Sequence, residues 1–467
     1  MLLRLPHSSL RRDKKMRDTK GDGGYCGALM KVALPIWAFF FFQAIYGVFD
    51  LLFIGNHYRT YAVAAAATGS QIIYIMIILI SGMVTGIVPA IASALRQGDR
   101  EKAERVFSTS VLFFGLGSVI LALFLYLNID VILDLMATPE EAVKDAREYL
   151  SIALFSLPAA TAYIIAGCHD SLSGRYSKLV AHVAFGAVLN IILSRVFAVN
   201  MKMGVRGIAV STLTAQTVCA ITYILEKAVS SDTVKLRLRY LKFDRKIIGE
   251  IFHSGNGEAL QNGIINFSML FITALINRRG VEDAAAAGIV EKIITLLLTF
   301  PLACRSTTVT MCSFFLGGEN RNTGRAKKTN EIMLTAVTLY GALCVLTVTG
   351  TADGILSLFS ADRGVIEAGS GYLRGYVWEI LFGGIHYIYT GYLVASGMTM
   401  MANANSITAM VFVRIPFAYV ASLVYVTSLY EIGLAATAGS VLLTVIGTFT
   451  YFYVLHRKRK AETAVHH

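Results

Sequence analysis

The sequence predicts an all-α polytopic membrane protein, with twelve transmembrane helices in two parallel six-helix repeats around a central cleft. Three observations carry that expectation. First, 55% of the 467 residues are hydrophobic and 15% are charged, with a mean hydropathy of +0.61. Soluble domains carry about 25% charged residues, and one compact core could not hide this many apolar side chains. Second, the apolar residues fall into runs long enough to cross a bilayer as helices, near 31–55, 62–94, 106–128, 146–169, 177–200, 205–227, 247–277, 284–316, 329–350, 366–396, 402–426 and 432–455. A span needs about 20 apolar residues, and no ten-residue alternating segments of a membrane β-barrel are visible. Third, the chain repeats itself weakly at an offset of 220–226 residues.

The repeat is carried by three matches. Leu95-Arg-Gln-Gly98-Asp99 after run two resembles Leu316-Gly-Gly318-Glu319 after run eight. Met136-Ala-Thr followed by Glu148-Tyr149-Leu150 resembles Phe359-Ser-Ala followed by Gly371-Tyr372-Leu373. Gly207-Ile-Ala opening run six resembles Gly433-Leu-Ala opening run twelve. A six-span unit keeps its orientation when duplicated, so the halves are parallel repeats about an axis along the membrane normal. Two such lobes that rock about a central cleft form a transporter architecture.

In chain order, residues 1–30 read as a basic cytoplasmic tail rather than a cleaved leader, because no short apolar core and cleavage site follow Arg11, Arg12, Lys14 and Lys15. An N-terminal six-helix lobe spans 31–229, a basic linker 230–246, a C-terminal lobe 247–456 and a second tail 457–467. The linker pattern Val234-Lys-Leu-Arg-Leu-Arg-Tyr-Leu-Lys reads as an amphipathic element on the membrane surface. Basic clusters follow runs two, four, six, eight and twelve, whereas the loop after run three is acidic. The positive-inside rule therefore expects both termini in the cytoplasm of a multi-pass protein of the cytoplasmic (inner) membrane. The net charge of +12 belongs to those loops, so no nucleic-acid partner is expected. The six cysteines form no metal-ligand spacing and read as small buried hydrophobes. No HExxH, GxSxG, Walker A or dinucleotide fingerprint occurs in a plausible context, so no enzyme, cofactor or structural metal is expected.

Polar residues inside the spans are where function is expected, because a charge at membrane depth costs several kcal/mol. Asp50 lies near the outer end of run one. Asn190 and Ser194, one helical turn apart in run five, and Thr212 in run six fall at similar depth in the same lobe. Together they form a plausible oxygen-lined pocket for a proton relay or Na⁺; as single residues, Asn190, Ser194 and Thr212 read equally well as interhelical hydrogen-bond partners. The second lobe offers Glu258, Glu291, Arg305, Glu379 and Arg414. Glu291 and Arg305 stand about 21 Å apart on one helix, so Arg305 must meet Glu258 or Glu379 or face a wet cavity. His182 and His386 read as satisfied neutral imidazoles, and the aromatics Trp37 to Phe42 and Tyr387 to Tyr392 as packing.

Ala33-Leu-Pro35, Asp50-Leu-Leu-Phe-Ile-Gly55, Arg96-Gln-Gly98-Asp99, Leu189-Asn190-Ile-Ile-Leu193, Gly204-Val-Arg-Gly207-Ile-Ala209 and Arg414-Ile-Pro416 occur in an order and spacing that resembles the multidrug and toxic compound extrusion (MATE) family over nearly the whole chain. The resemblance implies antiport, in which inward H⁺ or Na⁺ drives out amphipathic organic cations from a membrane-embedded monomer in contact with lipid. It makes Asp50 the first-helix coupling acid, Pro35 the point at which that helix bends, and Asn190 and Thr212 polar positions of the first-lobe cation site. Ser194 departs from the family pattern, where a second Asp is common; the departure favours H⁺ slightly over Na⁺. Glu258 resembles an early seventh-helix glutamate of some bacterial members. A lipid-linked saccharide flippase of related fold, which should show a strongly cationic cleft, and a non-transporting receptor or assembly protein are the alternatives.

Overall fold

The computed structural model describes residues 22–172, 176–229, 234–317 and 322–465. Most of the N-terminal tail, the first residues of the linker, Gly318, Glu319 and the side chain of Glu258 lie outside the described residues. Every expected apolar run is helical. The elements are α1 (Asp22–His57), α2 (Thr60–Val84), α3 (Ile87–Arg96), α4 (Arg100–Leu127), α5 (Ile129–Leu135), α6 (Glu140–Ala153), α7 (Ser156–Leu172), α8 (Tyr176–Ser194), α9 (Val205–Val229), α10 (Arg245–Asn277), α11 (Val281–Leu316), α12 (Thr323–Ser357), α13 (Arg363–Tyr376), α14 (Trp378–Ala395), α15 (Thr399–Ala409), α16 (Ile415–Val424) and α17 (Tyr430–Val465). Twelve transmembrane spans result, several of them interrupted: α2–α3, α6–α7, α13–α14 and α15–α16 each act as one. The pair α6–α7 bends by 48°. The span α13–α14 is less apolar than the others, since Glu379, His386 and several tyrosines interrupt its run.

The breaks follow the duplication. Span five ends in a π-helical turn, Arg195–Asn200, and its counterpart, span eleven, holds another at Met410–Arg414. A π turn widens the helix by one residue and re-aims the side chains around it, which is why such turns collect at functional sites. By contrast α1 runs as one helix through Pro35, although proline has no N–H to offer the carbonyl one turn back.

The two lobes exchange helices. One end of α1 docks on the second lobe, where the Tyr25 hydroxyl lies against Thr329 Oγ1 (2.5 Å) and the Arg325 carbonyl (3.3 Å), and Leu29 joins a core with Cys304, Met311 and Met333. The matching end of α10 docks on the first lobe. There Gly82 of α2 allows Ala259 to approach so closely that a Cβ on Gly82 would sit 2.8 Å from its Cα, and a Cβ on Gly86 would overlap the Ile251 carbonyl oxygen. Phe252 stacks on Phe114 and meets Phe113 edge to face, and Lys102 bridges to Glu250 at 3.3 Å. Without a hydrophobic drive between helices in lipid, such small-residue crossings supply the attraction by close packing. The linker forms one short 3₁₀ turn, Leu238–Tyr240, rather than a continuous amphipathic element. It is held to α4 by Arg237, whose N–H donates to Ser108 Oγ (3.1 Å) and whose Nε reaches Glu104 (3.1 Å).

At the α1–α2 end the lobes are sealed to each other by matched contacts. Asn56 Nδ2 donates to the Leu358 carbonyl, and Asn277 Nδ2 to the Met136 carbonyl, both at 2.8 Å. Both donors and both acceptors are related by the repeat offset. Thr60 adds a 2.6 Å bond to Asp362, and Gly288 of α11 packs directly on Ala67 of α2. Two alanine runs, Ala64–Ala67 and Ala284–Ala287, bring these helices together, a repeat match that passed unnoticed in the sequence because alanine runs are common.

The α10 crossing gives a direct test. Gly86→Val should cost about 1–3 kcal/mol through overpacking against Ile251, seen as a lower unfolding temperature in detergent. Gly115→Val, at a position on α4 with open space around it, should leave that temperature unchanged.

Candidate functional site

Asp50 is brought into the interior of the first lobe because α1 packs on α8, which in turn packs on α9, and those two helices present hydroxyls where it arrives. The carboxylate is 6% exposed. Ser194 Oγ donates to Asp50 Oδ1 at 2.7 Å. A hydroxyl has one proton, so in the 2.6 Å contact between Ser194 and Ser211 it is Ser211 that donates, with the Ile208 carbonyl 2.8 Å away as a competing acceptor. Asn190 Oδ1 lies 3.4 Å from Ser194 Oγ, and its Nδ2 donates to Thr212 Oγ1 at 3.2 Å. All five side chains are buried. One residue of α1, two of α8 and two of α9 thus converge on one carboxylate. The oxygens of Asp50, Asn190, Ser194, Ser211 and Thr212 are the set that could receive a proton or hold a monovalent cation. Among the described residues no group of three or more His, Cys, Asp or Glu side chains could hold a metal ion.

A cavity opens from Asp50 along α1 and α2. Gln43, Tyr46 and Gly47 line it on one side, Ser70 and Tyr74 on another, and Tyr149, Thr212 and Gln216 close the first-lobe wall. The second lobe contributes Lys292 and Thr295 of α11. Tyr149 is seated by Gly69, on which any Cβ would strike its ring.

A second polar layer links the lobes beside the cavity. Gln71 Nε2 of α2 donates to Thr273 Oγ1 of α10 at 2.8 Å, and Thr273 Oγ1 lies 2.9 Å from Glu291 Oε1 of α11. Glu291 is therefore an interface residue. Of the partners expected for Arg305, Glu379 is not met and the side chain of Glu258 lies outside the described residues; among the described residues Arg305 has no ion pair, and its stem lies against Gly391 of α14. Glu379 instead accepts from Ser440 Oγ at 2.8 Å, leaving Oε2 buried without a hydrogen bond. The reason is azimuth: Glu379 faces Ser440 of α17, and its basic neighbour is Arg414 of span eleven. Arg414, buried at the end of the π turn, donates to Tyr376 Oη at 2.8 Å and lies over that ring. Glu258 belongs to α10, and its side chain lies outside the described residues. His182 lies 3.3 Å from Glu226, and His386 3.1 Å from Thr390 Oγ1.

Four participants are not singled out by the sequence pattern. Ser211 carries no signal of its own, since a serine in a helix usually bonds its own backbone. Gln71 and Thr273 are likewise ordinary. Lys292 did carry a signal, an ionisable residue deep in an apolar run, but it stands beside Glu291 and was passed over.

A duplicated six-helix lobe that closes around buried oxygens and a cavity shared with its twin has the architecture of a secondary transporter. The family model described as MatE matches the chain twice, over residues 35–196 and 259–420, and the chain belongs to that family. The second match begins and ends 224 residues after the first, inside the offset range of the internal repeat. "Multidrug export protein MepA" of Staphylococcus aureus (strain N315) is 22% identical over 373 residues, 79% of this chain and 81% of its own length. "Probable multidrug resistance protein YoeA" of Bacillus subtilis (strain 168) is 23% identical over 432 residues, 90% of this chain and 91% of its own. A solved inward-facing conformation of a multidrug resistance MATE family transporter of the MOP superfamily superimposes with a TM-score of 0.81 at 19% identity, covering 90% of this chain and 96% of that one. Its outward-facing counterpart gives 0.74 at 18% identity, covering 92% and 96%.

Removing the donor to Asp50 should be costly. Ser194→Ala leaves a buried carboxylate short of one hydrogen bond and should destabilise by about 1–3 kcal/mol, measured as a lowered unfolding midpoint. Thr273→Val should do the same for Glu291.

Proposed function

We propose that the protein is a secondary active efflux antiporter that exports amphipathic organic cations in exchange for H⁺, with Na⁺ as the second candidate ion. The observation that carries this reading is the Ser194–Asp50 hydrogen bond at the head of a cavity shared by both lobes. A carboxylate held there can be neutralised by the coupling ion, and its bond from Ser194 of α8, with the Ser194–Ser211 contact to α9 behind it, then rearranges. Because α1 joins both lobes, a change at Asp50 is transmitted along one helix past Pro35 to the second lobe. The export of multiple drugs attributed to MepA supports the substrate class.

In the cell the protein sits in the cytoplasmic membrane as a monomer with both termini inside, and the sealed α1–α2 end faces outward. The lobes are residues 31–229 and 247–456, joined by 230–246. A lipid-linked saccharide flippase would need a strongly cationic cleft, whereas this cavity sets one carboxylate against one ammonium.

Ethidium uptake into everted vesicles, where cellular export becomes accumulation in the lumen, tests the reading. Asp50→Asn should reduce export to the level of membranes that lack the protein, under a pH gradient and under a Na⁺ gradient. Export as fast as wild type under both gradients would show that Asp50 is not the coupling carboxylate.

A further inference from the structure

Apart from Asp50, Lys292 is the charged side chain lining the cavity among the described residues, and the mechanism above gives it no role. It follows Glu291 directly on α11, but successive helical residues point about 100° apart and cannot face each other. Glu291 turns to Thr273, 2.9 Å away. Lys292 instead reaches across to α1, where Gly47 leaves room for its stem: a Cβ built on Gly47 would sit 3.6 Å from Lys292 Cδ and 3.8 Å from Nζ. Gly47 and Asp50 lie one turn apart on the same face of α1. The ammonium of one lobe is thereby laid along the helix that carries the carboxylate of the other.

Among the described residues Lys292 has no ion pair within 4.0 Å, so its charge is balanced across the cavity rather than by contact. The titratable groups facing it are Asp50 and Tyr46 of α1, Tyr74 of α2 and Tyr149 of α6; Gln43, Thr212, Gln216 and Thr295 are neutral. Two carboxylates act on its charge, Glu291 first and Asp50 second; Glu291 is turned to Thr273, and Asp50 is the one that lines the cavity with Lys292.

We propose that Lys292 is a tethered countercation for Asp50, and that its ammonium excludes Na⁺ from the site and restricts coupling to protons. The proposal rests on the reading of Asp50 as the coupling carboxylate and names the ion. With one carboxylate and one ammonium the cavity is already neutral. A proton still binds Asp50 through a covalent O–H bond. Sodium depends on the local field alone, and a unit charge a few ångströms away, at an effective dielectric of about 20, removes a large part of what a millimolar binding equilibrium yields. Ser194 acts in the same direction, since a serine adds no second negative charge beside Asp50 and leaves Lys292 only one to offset.

The test is saturable binding of radioactive sodium to the purified full-length protein in detergent. Wild type should bind none, Lys292→Met should gain binding by roughly tenfold or more over the wild-type background, and Lys292→Arg, which keeps the charge, should not. Asp50→Asn added to Lys292→Met should abolish the gain. Where Lys292→Met fails to fold, Lys292→Gln replaces it. Wild type that binds Na⁺ as tightly as the neutral variant, or a folded neutral variant that binds none, would overturn the proposal. Wild-type efflux under a pH gradient supplies a check free of variants: Na⁺ should not inhibit it, and inhibition contradicts the exclusion. Because the readout is ion binding, its failure is separate from that of the antiport reading, which the Asp50→Asn efflux assay decides.

Discussion

A carboxylate placed where lipid surrounds the protein has to be satisfied by protein groups, and this requirement organises the first lobe. Asp50 receives a hydroxyl proton from Ser194, whose oxygen is supported by Ser211, with Asn190 and Thr212 alongside. Each bond is modest, but the alternative is a buried charge without a donor, so α1, α8 and α9 are held in one arrangement while the carboxylate stays ionised. Neutralising it releases that constraint. A coupling site of this kind needs no strong ligand cage; it needs a charge whose loss makes a second packing equally acceptable.

The second constraint is the exchange of α1 and α10 between lobes. Tyr25 fixes one end of α1 to α12, and Asp50 fixes the other to α8. On the opposite side Gly82 and Gly86 fix α10 to the first lobe, while Gln261 donates to Ser406 of α15 at 2.8 Å. Neither lobe can therefore move without carrying a helix of its twin. The seal at Asn56–Leu358 and Asn277–Met136 is made by side-chain amides on carbonyls, beside the packed alanine runs of α2 and α11. The Gln71–Thr273–Glu291 layer beside it is of the same kind.

Much of this was legible in the sequence. Run lengths and the repeat offset were enough for twelve helices in two lobes, since lipid imposes length and period on every span. Asp50, Asn190, Ser194 and Thr212 were grouped by depth alone, and the structure brings them within hydrogen-bonding reach. Depth carries no azimuth, however, and that is where the reading failed. Arg305 and Glu379 sit at suitable heights on facing spans, yet Glu379 turns to Ser440 and Arg305 does not reach it. The breaks at Thr85–Gly86 and at both π turns were also invisible, because an interrupted span has the same apolar composition as a straight one. The helix exchange left no trace, since an apolar face does not encode which lobe will cover it. Lys292 was the exception: its charge was plain in the sequence, and only its neighbour Glu291 drew attention away.

On the proposed mechanism the charge state of Asp50 sets how the two lobes stand to each other. The most direct measurement is the distance distribution between spin labels at position 56 and position 358, read at acidic and alkaline pH in proteoliposomes. Wild type should redistribute between short and long separations as pH changes, and Asp50→Asn should hold one distribution at both. A redistribution in Asp50→Asn equal to that of wild type would contradict the claim.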